Sequence, residues 1–289
     1  MENDPFISFL KKNKHQNFFL CSAPGNSGDI LLQKSLHLYL KDHSFNLTID
    51  SKKADIILMH GGGSIDDVWG TGLTKFIDLL DNYPKKIIAV APCTIHFTVT
   101  DFPEILSVYS QSIYIFAREQ KTFTYLQDMI LPVNVSINLS HDTAFLLKGT
   151  EYLDKISKQC SSENILLALR TDKESKFLSF SLDGPPKNFY EKLMFRYIRY
   201  QLKSVIKNTD ANIFLRENIH FDDISHKNFE TFVTTIQRAK VVYTDRLHVA
   251  ILSTILGKKV HLYDTKYNKV KDVYEQTLHN YPNITPMFD

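Results

Sequence analysis

Arg246 and His248 stand two positions apart in the stretch Val242–Gly257. A β-branched run ends there at Thr244-Asp245, which reads as a helix cap, and an apolar helix follows until Gly257 stops it. Both side chains then fall in the first turn of a helix at the carboxyl end of a strand. Free backbone N–H groups and the helix dipole favour an anion at such a place. Arginine offers a fixed fork to a carboxylate or phosphate. Histidine offers a proton that moves near neutral pH. The chemistry implied is capture of a small anion coupled to proton transfer. The plainer alternative is a capped helix with a salt-bridged arginine and a solvated histidine.

Other turns carry candidate contacts. Asn26, Gly28 and Asp29 belong to Pro24-Gly25-Asn26-Ser27-Gly28-Asp29, which fits neither GxGxxG nor GxxxxGK[ST] and holds no nucleotide motif. Its glycines permit close backbone approach. Asp29 would repel a phosphate, so it reads as a helix cap or as an acceptor for a sugar hydroxyl. His60 is followed by Gly61, Gly62 and Gly63. Three successive glycines are costly in chain entropy, which implies either ligand approach or tight packing. Arg170 ends the apolar run Leu166–Leu169, where it either faces a cleft or pairs with Asp172 or Glu174. His60, His96 and His141 stand at expected strand ends. No HExxH pair and no mixed cysteine–histidine cluster occurs, so no metal site is expected. No GxSxG elbow supports esterase chemistry.

These residues need a framework that brings strand ends together, and the pattern alternates strand and helix almost throughout. Strands are expected at 17–23, 55–59, 86–91, 112–117 and 133–137, the third ending at Pro92. Asp29 to Lys41 has helical spacing. After Gly149 the texture becomes polar, and Glu151 to Glu163 reads as a crossover. A second series follows, with strands at 164–169, 212–215, 241–243 and 260–263. Helices are expected at 187–207, at 228–240, after Arg246 and at 268–279. This is the pattern of an α/β fold with parallel sheets and right-handed crossovers. It divides into domains at 1–155 and 156–289 with a cleft between them. Ligands in such sheets bind beyond the carboxyl ends of the strands.

With 289 residues, 43% of them hydrophobic, the chain can build two cores of ordinary size. A formal net charge of +2 gives no field pointing to nucleic acid. Lys11-Lys12-Asn13-Lys14-His15 reads as a solvated surface, making at most peripheral contact with a membrane. Cys21, Cys93 and Cys160 suggest no disulfide framework, and the first two read as buried thiols of a reducing compartment. No secretory leader and no run of about 18 apolar residues is present. The expected location is the cytoplasm, extending to the inner face of the plasma membrane.

Taken in order, these segments resemble the polysaccharide pyruvyl transferase family. Gly25-Asn26-Ser27-Gly28-Asp29 is similar to its opening Gly-Asn-x-Gly-Asp, and His60–Gly63 to its glycine run. Ala117-Arg118-Glu119 with Thr122 resembles its Arg-Glu…Ser/Thr segment, and Asp142–Phe145 its Asp-x-Ala block. Thr244–His248 with Ala250 and Gly257 resembles its Ser/Thr-x-Arg-Leu-His signature. Pro92-Cys93-Thr94 departs from the Pro-Gln-Ser of many members. The resemblance implies a glycosyltransferase-B-like architecture, two Rossmann-like domains facing a cleft, with the last helix packing back on the first domain. It implies transfer of an enolpyruvyl unit from phosphoenolpyruvate to two hydroxyls of a glycan, free or lipid-linked, without metal or cofactor. Arg246 would bind an anionic group, Leu247 would line the pocket through its backbone, and His248 would act on the proton. Arg170 would be a second donor arginine. Asp29 is a candidate base, and His141 and His96 compete for an additional pocket position. A sugar-nucleotide glycosyltransferase of the same architecture and a non-catalytic carbohydrate-binding protein are the alternatives.

Overall fold

The computed structural model describes residues 3–22, 25–67, 70–158, 164–172, 174–177, 197, 200, 219–266 and 268–288. The chain splits into two compact units, Met1–Gly25 with Asp29–Tyr152, and Asn26–Gly28 with Leu153–Asp289.

The first unit is built on seven parallel strands: β1 (Asn17–Cys21), β2 (Asn46–Leu47), β3 (Ile56–Met59), β4 (Gly62–Asp66), β5 (Ile87–His96), β6 (Ile113–Ala117) and β7 (Val135–Leu139). They lie in the order β2-β1-β3-β5-β6-β7, with β4 also paired to β5. Helices α1 (Pro5–Lys12), α2 (Ser27–Asp42), α3 (Thr71–Asn82), α4 (Phe102–Ser107) and α5 (Gln120–Gln127) supply the other half of its cores. Alternate strand residues feed two separate clusters. Ile57, Met59, Ile88, Val90, Ile113 and Ile115 pack with Phe76 and Leu126 on one side. Ile56, Leu58, Ala89, Ala91 and Phe116 pack with Phe6, Leu10, Leu36 and Leu40 on the other. Burial on both faces is why these strands read as unbroken apolar runs.

The second unit has five parallel strands: β8 (Asn164–Ala168), β9 (Ile219–Phe221), β10 (Ala239–Thr244), β11 (Lys259–Leu262) and β12 (Ile284–Pro286), in the order β12-β11-β10-β8-β9. Around them are α7 (Phe229–Gln237), α8 (Leu247–Ile255) and α9 (Lys269–Gln276). Helix α6 (Glu151–Ser157) forms where the polar crossover was expected. Two all-parallel sheets with connecting helices make this an α/β, Rossmann-like protein. The helix expected at 187–207 and the strand at 212–215 fall in a part of the chain outside the described residues. Among the described residues, no helix is long and apolar enough to cross a membrane.

Several expectations need correction. β5 runs through Pro92 to His96 rather than stopping at the proline. The ladder with β6 shifts register between Val90 and Cys93, and a bulge is where a strand tolerates a residue without an N–H. The glycine run is not simply a loop. Gly62 opens β4, paired to Cys93 of β5. β12, α1, α3 and α4 were not anticipated; β12 is three residues long and α4 only six, too short for a periodic signal. Cys93 is fully buried inside β5, and burial pushes its thiol above its usual range. Cys21 is half-buried at the end of β1, and burial raises its thiol too. Cys160 lies outside the described residues.

Candidate active site

In the second unit, the carboxyl ends of β8 and β10 are cross-braced by side chains. Thr244 Oγ1 donates to Ala168 O at 2.8 Å and accepts the Arg246 N–H at 3.0 Å. Asp245 Oδ1 accepts the Arg170 N–H at 2.7 Å. Arg246, with extended φ of −100° and ψ of 114°, is therefore the N-cap residue of α8, and no side chain caps that helix. Thr244 and Asp245 do not cap it, because both are spent on holding β8. The first-turn N–H groups of α8 keep their anion-attracting character. Leu247 and His248 are the first two helical residues.

Both arginines meet carboxylates. Arg170 Nε and Nη2 each reach Asp172 at 2.9 Å, and Nη2 reaches Glu174 at 3.1 Å. Arg246 Nη2 is paired with Asp223, and its Nη1 lies 3.9 Å from Asp172. Burial opposes the charge on Asp172, but the Arg170 hydrogen bond and the two guanidinium charges hold its carboxyl below the ordinary range. Burial pushes Asp245 up to about 6 against the pull of Arg246 and Arg170. A carboxyl with a raised native pKa binds its proton more readily when folded. Its contribution to stability therefore falls as pH rises from about 4 through 6.

Residues 26–28 are part of this unit. Ser27 Oγ donates to Lys227 O and accepts the Lys227 N–H, both at 2.8 Å. Asn26 Oδ1 accepts the Gly28 N–H at 2.7 Å. A methyl group built on Gly28 would stand 2.3 Å from His248 Nδ1. Glycine at this helical position lets the imidazole lie against the backbone. Glycine-to-alanine in a helix ordinarily stabilises by about 0.5–1 kcal/mol. Here Gly28→Ala is expected to displace the His248 ring instead, read as a shifted His248 signal in the imidazole NMR spectrum. An unmoved signal in a more stable protein would contradict this contact.

The first unit carries a second polar group at the carboxyl ends of its strands. Arg118, after β6, is buried with Nη1 3.0 Å from Asp142 after β7, and its Nε donates to Thr94 of β5 at 2.9 Å. Glu119 completes the group, 3.5 Å from Arg118 Nε and bonded to Thr94 and Thr122. Asp29 lies beside Gly25 and Gly62, and its charge acts on His60, whose imidazole is held below its usual range chiefly by burial. Packing accounts for much of the glycine run. A methyl on Gly61 would sit 2.0 Å from Pro92 O, one on Gly63 would crowd Arg118 Nη2 at 3.3 Å, and Gly62 has φ of +131°. His141 donates its N–H to Asp4 at 2.9 Å beside the start of α1, and burial lowers its imidazole against the Asp4 charge. His96 is exposed, its ring tilted against that of Tyr125.

The structure thus brings Arg170, Arg246, Leu247, His248, Asn26 and Gly28 into one unit, and places Asp29, Gly61, Gly62, Gly63 and His141 in the other. Sequence reasoning missed Asp223 and the bracing role of Asp245. Asp223 follows β9 and is distant in sequence from Arg246, so no local spacing announces the pair. Asp245 adjoins Arg246 and reads as a cap in sequence because Thr-Asp before a helix usually is one. Among the described residues, no group of three His, Cys, Asp or Glu side chains is placed to hold a metal ion.

The model of the family described as polysaccharide pyruvyl transferase matches residues 5–267. No curated protein matches the chain. Among solved structures, the chain is similar to that of a functionally uncharacterized protein from Klebsiella pneumoniae. The identity is 23%, the TM-score 0.66, and 99% of each chain is covered. That likeness concerns the fold.

Proposed function

The chain belongs to the polysaccharide pyruvyl transferase family, and from that premise we propose that it moves an enolpyruvyl unit from phosphoenolpyruvate to two hydroxyls of one sugar. The product is a cyclic pyruvate ketal in a polysaccharide or its lipid-linked precursor. The observation that supports this reading is that Asp172 reaches both Arg170 and Arg246 at the ends of β8 and β10, beside an uncapped helix start whose second residue is His248. Residues 1–155 and 156–289 act as two domains in a glycosyltransferase-B-like arrangement, the first serving the acceptor and the second the donor. The reaction runs at the cytoplasmic side.

Phosphoenolpyruvate carries a carboxylate and a phosphate, and two guanidinium forks answer them. His248, protonated, delivers a proton to the methylene carbon. The central carbon becomes electron-poor and the first sugar hydroxyl adds to it, its proton passing to a base for which Asp29 is the candidate. Phosphate then leaves with the C–O electron pair, and the second hydroxyl closes the ring with loss of its proton. Leu247, Asn26 and Gly28 shape the donor side, and Gly61, Gly62, Gly63 and His141 the acceptor side.

Phosphate release from phosphoenolpyruvate, measured across a panel of glycans and lipid-linked glycans, tests the reading. Acceptor-dependent release with a ketal in the product is expected. Silence across the panel, with turnover of a sugar nucleotide instead, would overturn it. Arg246→Ala is expected to raise the donor KM by about a hundredfold, the loss of a charged hydrogen-bonded contact of roughly 3 kcal/mol. A KM within twofold of wild type would remove Arg246 from the donor site.

A further inference from the structure

We propose that Asp172 is a resident competitor for the donor's anionic group: its carboxylate occupies the bidentate edge of Arg170 and leans on Arg246 until an incoming anion displaces it. The inference rests on the reading of these two arginines as donor contacts.

Charge balance motivates it. Around the arginines stand Asp172, Glu174, Asp223 and Asp245, with Lys269 3.7 Å from Glu174. Among the described residues, four carboxylates thus crowd the two guanidiniums. Acids packed this closely offset the arginine charge that would attract a multiply charged anion, and displacing one of them restores it. Three of the four are more deeply buried than Asp172. Asp245 is fully buried and grips the Arg170 N–H. Asp223 accepts from the Thr171 hydroxyl at 2.7 Å and the Ser225 hydroxyl at 2.8 Å. Glu174 is tied to Arg170 and Lys269, with its side chain 10% exposed. Asp172 is the most exposed, at 25%, and alone reaches both guanidiniums.

The geometry of its contact supports displacement. Asp172 Oδ1 and Oδ2 take Nε and Nη2 of Arg170, the parallel pair of donors that matches a carboxylate or phosphate. Asp172 thus fills the position a ligand oxygen pair would take. The internal acids nevertheless leave Arg246 incompletely bonded. Its Nη1 stands 3.9 Å from Asp172, beyond hydrogen-bond distance. An anion carrying more oxygens than one carboxylate could take the Nε–Nη2 edge of Arg170 and close on Arg246 Nη1, which Asp172 approaches only to 3.9 Å. The exchange favours a dianionic group over a simple monocarboxylate, because its further oxygen and charge can close the Arg246 contact that Asp172 leaves long.

Removing a structural partner and removing a competitor have opposite signatures. Asp172→Asn keeps an oxygen for the Glu174 N–H, now bonded at 3.0 Å, but removes the charge. The full-length variant is expected to have a lower Tm and to bind sulfate, a dianion that does not titrate near neutrality, at least about fivefold more tightly by calorimetry. Asp172→Asn in an Arg170→Met background should show no such gain. Weaker sulfate binding by Asp172→Asn would make the residue a support for the arginines and overturn the proposal. Should the variant not fold, sulfate titration of the wild type read at the arginine Nε–H signals decides. A shifted Arg170 signal supports exchange, and an unmoved one at saturation rejects it. Tighter sulfate binding without phosphoenolpyruvate turnover would retain the competitor and discard the donor reading. Turnover with weakened sulfate binding would do the reverse.

Discussion

Replacing His248 with alanine is expected to lower kcat with phosphoenolpyruvate by about a hundred- to ten-thousandfold, the range contributed by a placed general acid. The donor KM should change far less than in Arg246→Ala, because the forks that would hold the donor remain. The two variants therefore separate anion binding from proton delivery, which the sequence pair Arg246 and His248 first suggested. His248→Gln sharpens the test. Glutamine keeps a polar group of similar reach but cannot give up a proton near neutral pH, so it should fall with alanine. The ring is placed from two sides, by its position in the first turn of α8 and by the bare backbone of Gly28 against Nδ1. A proton donor fixed in this way requires no reorganisation when the enol ether arrives. Steady-state phosphate release at saturating acceptor measures the effect. Near-normal turnover in His248→Ala would remove the acid assignment while leaving the anion site intact.

How far the sequence could be read depends on the range of the signal. Strands buried on both faces, such as Ile56–Met59 and Asn164–Ala168, announce themselves as short apolar runs between turns. Arg246 and His248 were legible because helix start, strand end and side-chain chemistry all lie within a few residues. β4 was not, since Gly62-Gly63-Ser64 has no strand propensity and pairs only because β5 continues past Pro92. The same pairing explains Gly61, whose missing side chain makes room for the Pro92 carbonyl. A glycine run that by itself points to ligand approach ahead of close packing has a packing cause in the sheet itself. The acids of the arginine cluster were the other gap. Asp172 lies two residues from Arg170, and their pairing is the sequence's alternative to a cleft-facing arginine; the structure shows that pairing directly. Asp223 reaches Arg246 only through the tertiary fold, and one sequence cannot report such a contact.

Asp142→Ala is expected to destabilise the protein by about 3–5 kcal/mol, the range for removing one partner of a buried ion pair. Asp142 and Arg118 are 1% and 4% exposed, and their 3.0 Å contact joins the ends of β6 and β7, while Thr94 extends the link to β5. Burial disfavours the Arg118 charge, yet Asp142 and Glu119 hold the guanidinium protonated above its ordinary range. Deleting Asp142 leaves that charge facing only Glu119 at the longer distance of 3.5 Å. It also removes the acceptor for the Ala144 N–H, bonded at 2.9 Å, so a capping loss of about 1 kcal/mol is included in the effect. Asp142→Asn separates the two contributions, because its amide oxygen can keep the cap while the countercharge is gone. Its loss should be smaller than that of alanine by roughly the cap. Arg118→Met with Asp142→Leu should recover much of the stability, since a buried pair competes poorly with apolar packing of similar volume. Urea unfolding of the three variants measures these differences. A cost below about 1 kcal/mol for Asp142→Ala would mean that water reaches Arg118 when its partner leaves. The three strand ends would then be held by their ladders alone, and Gly63, against which Arg118 packs, would tolerate alanine without penalty.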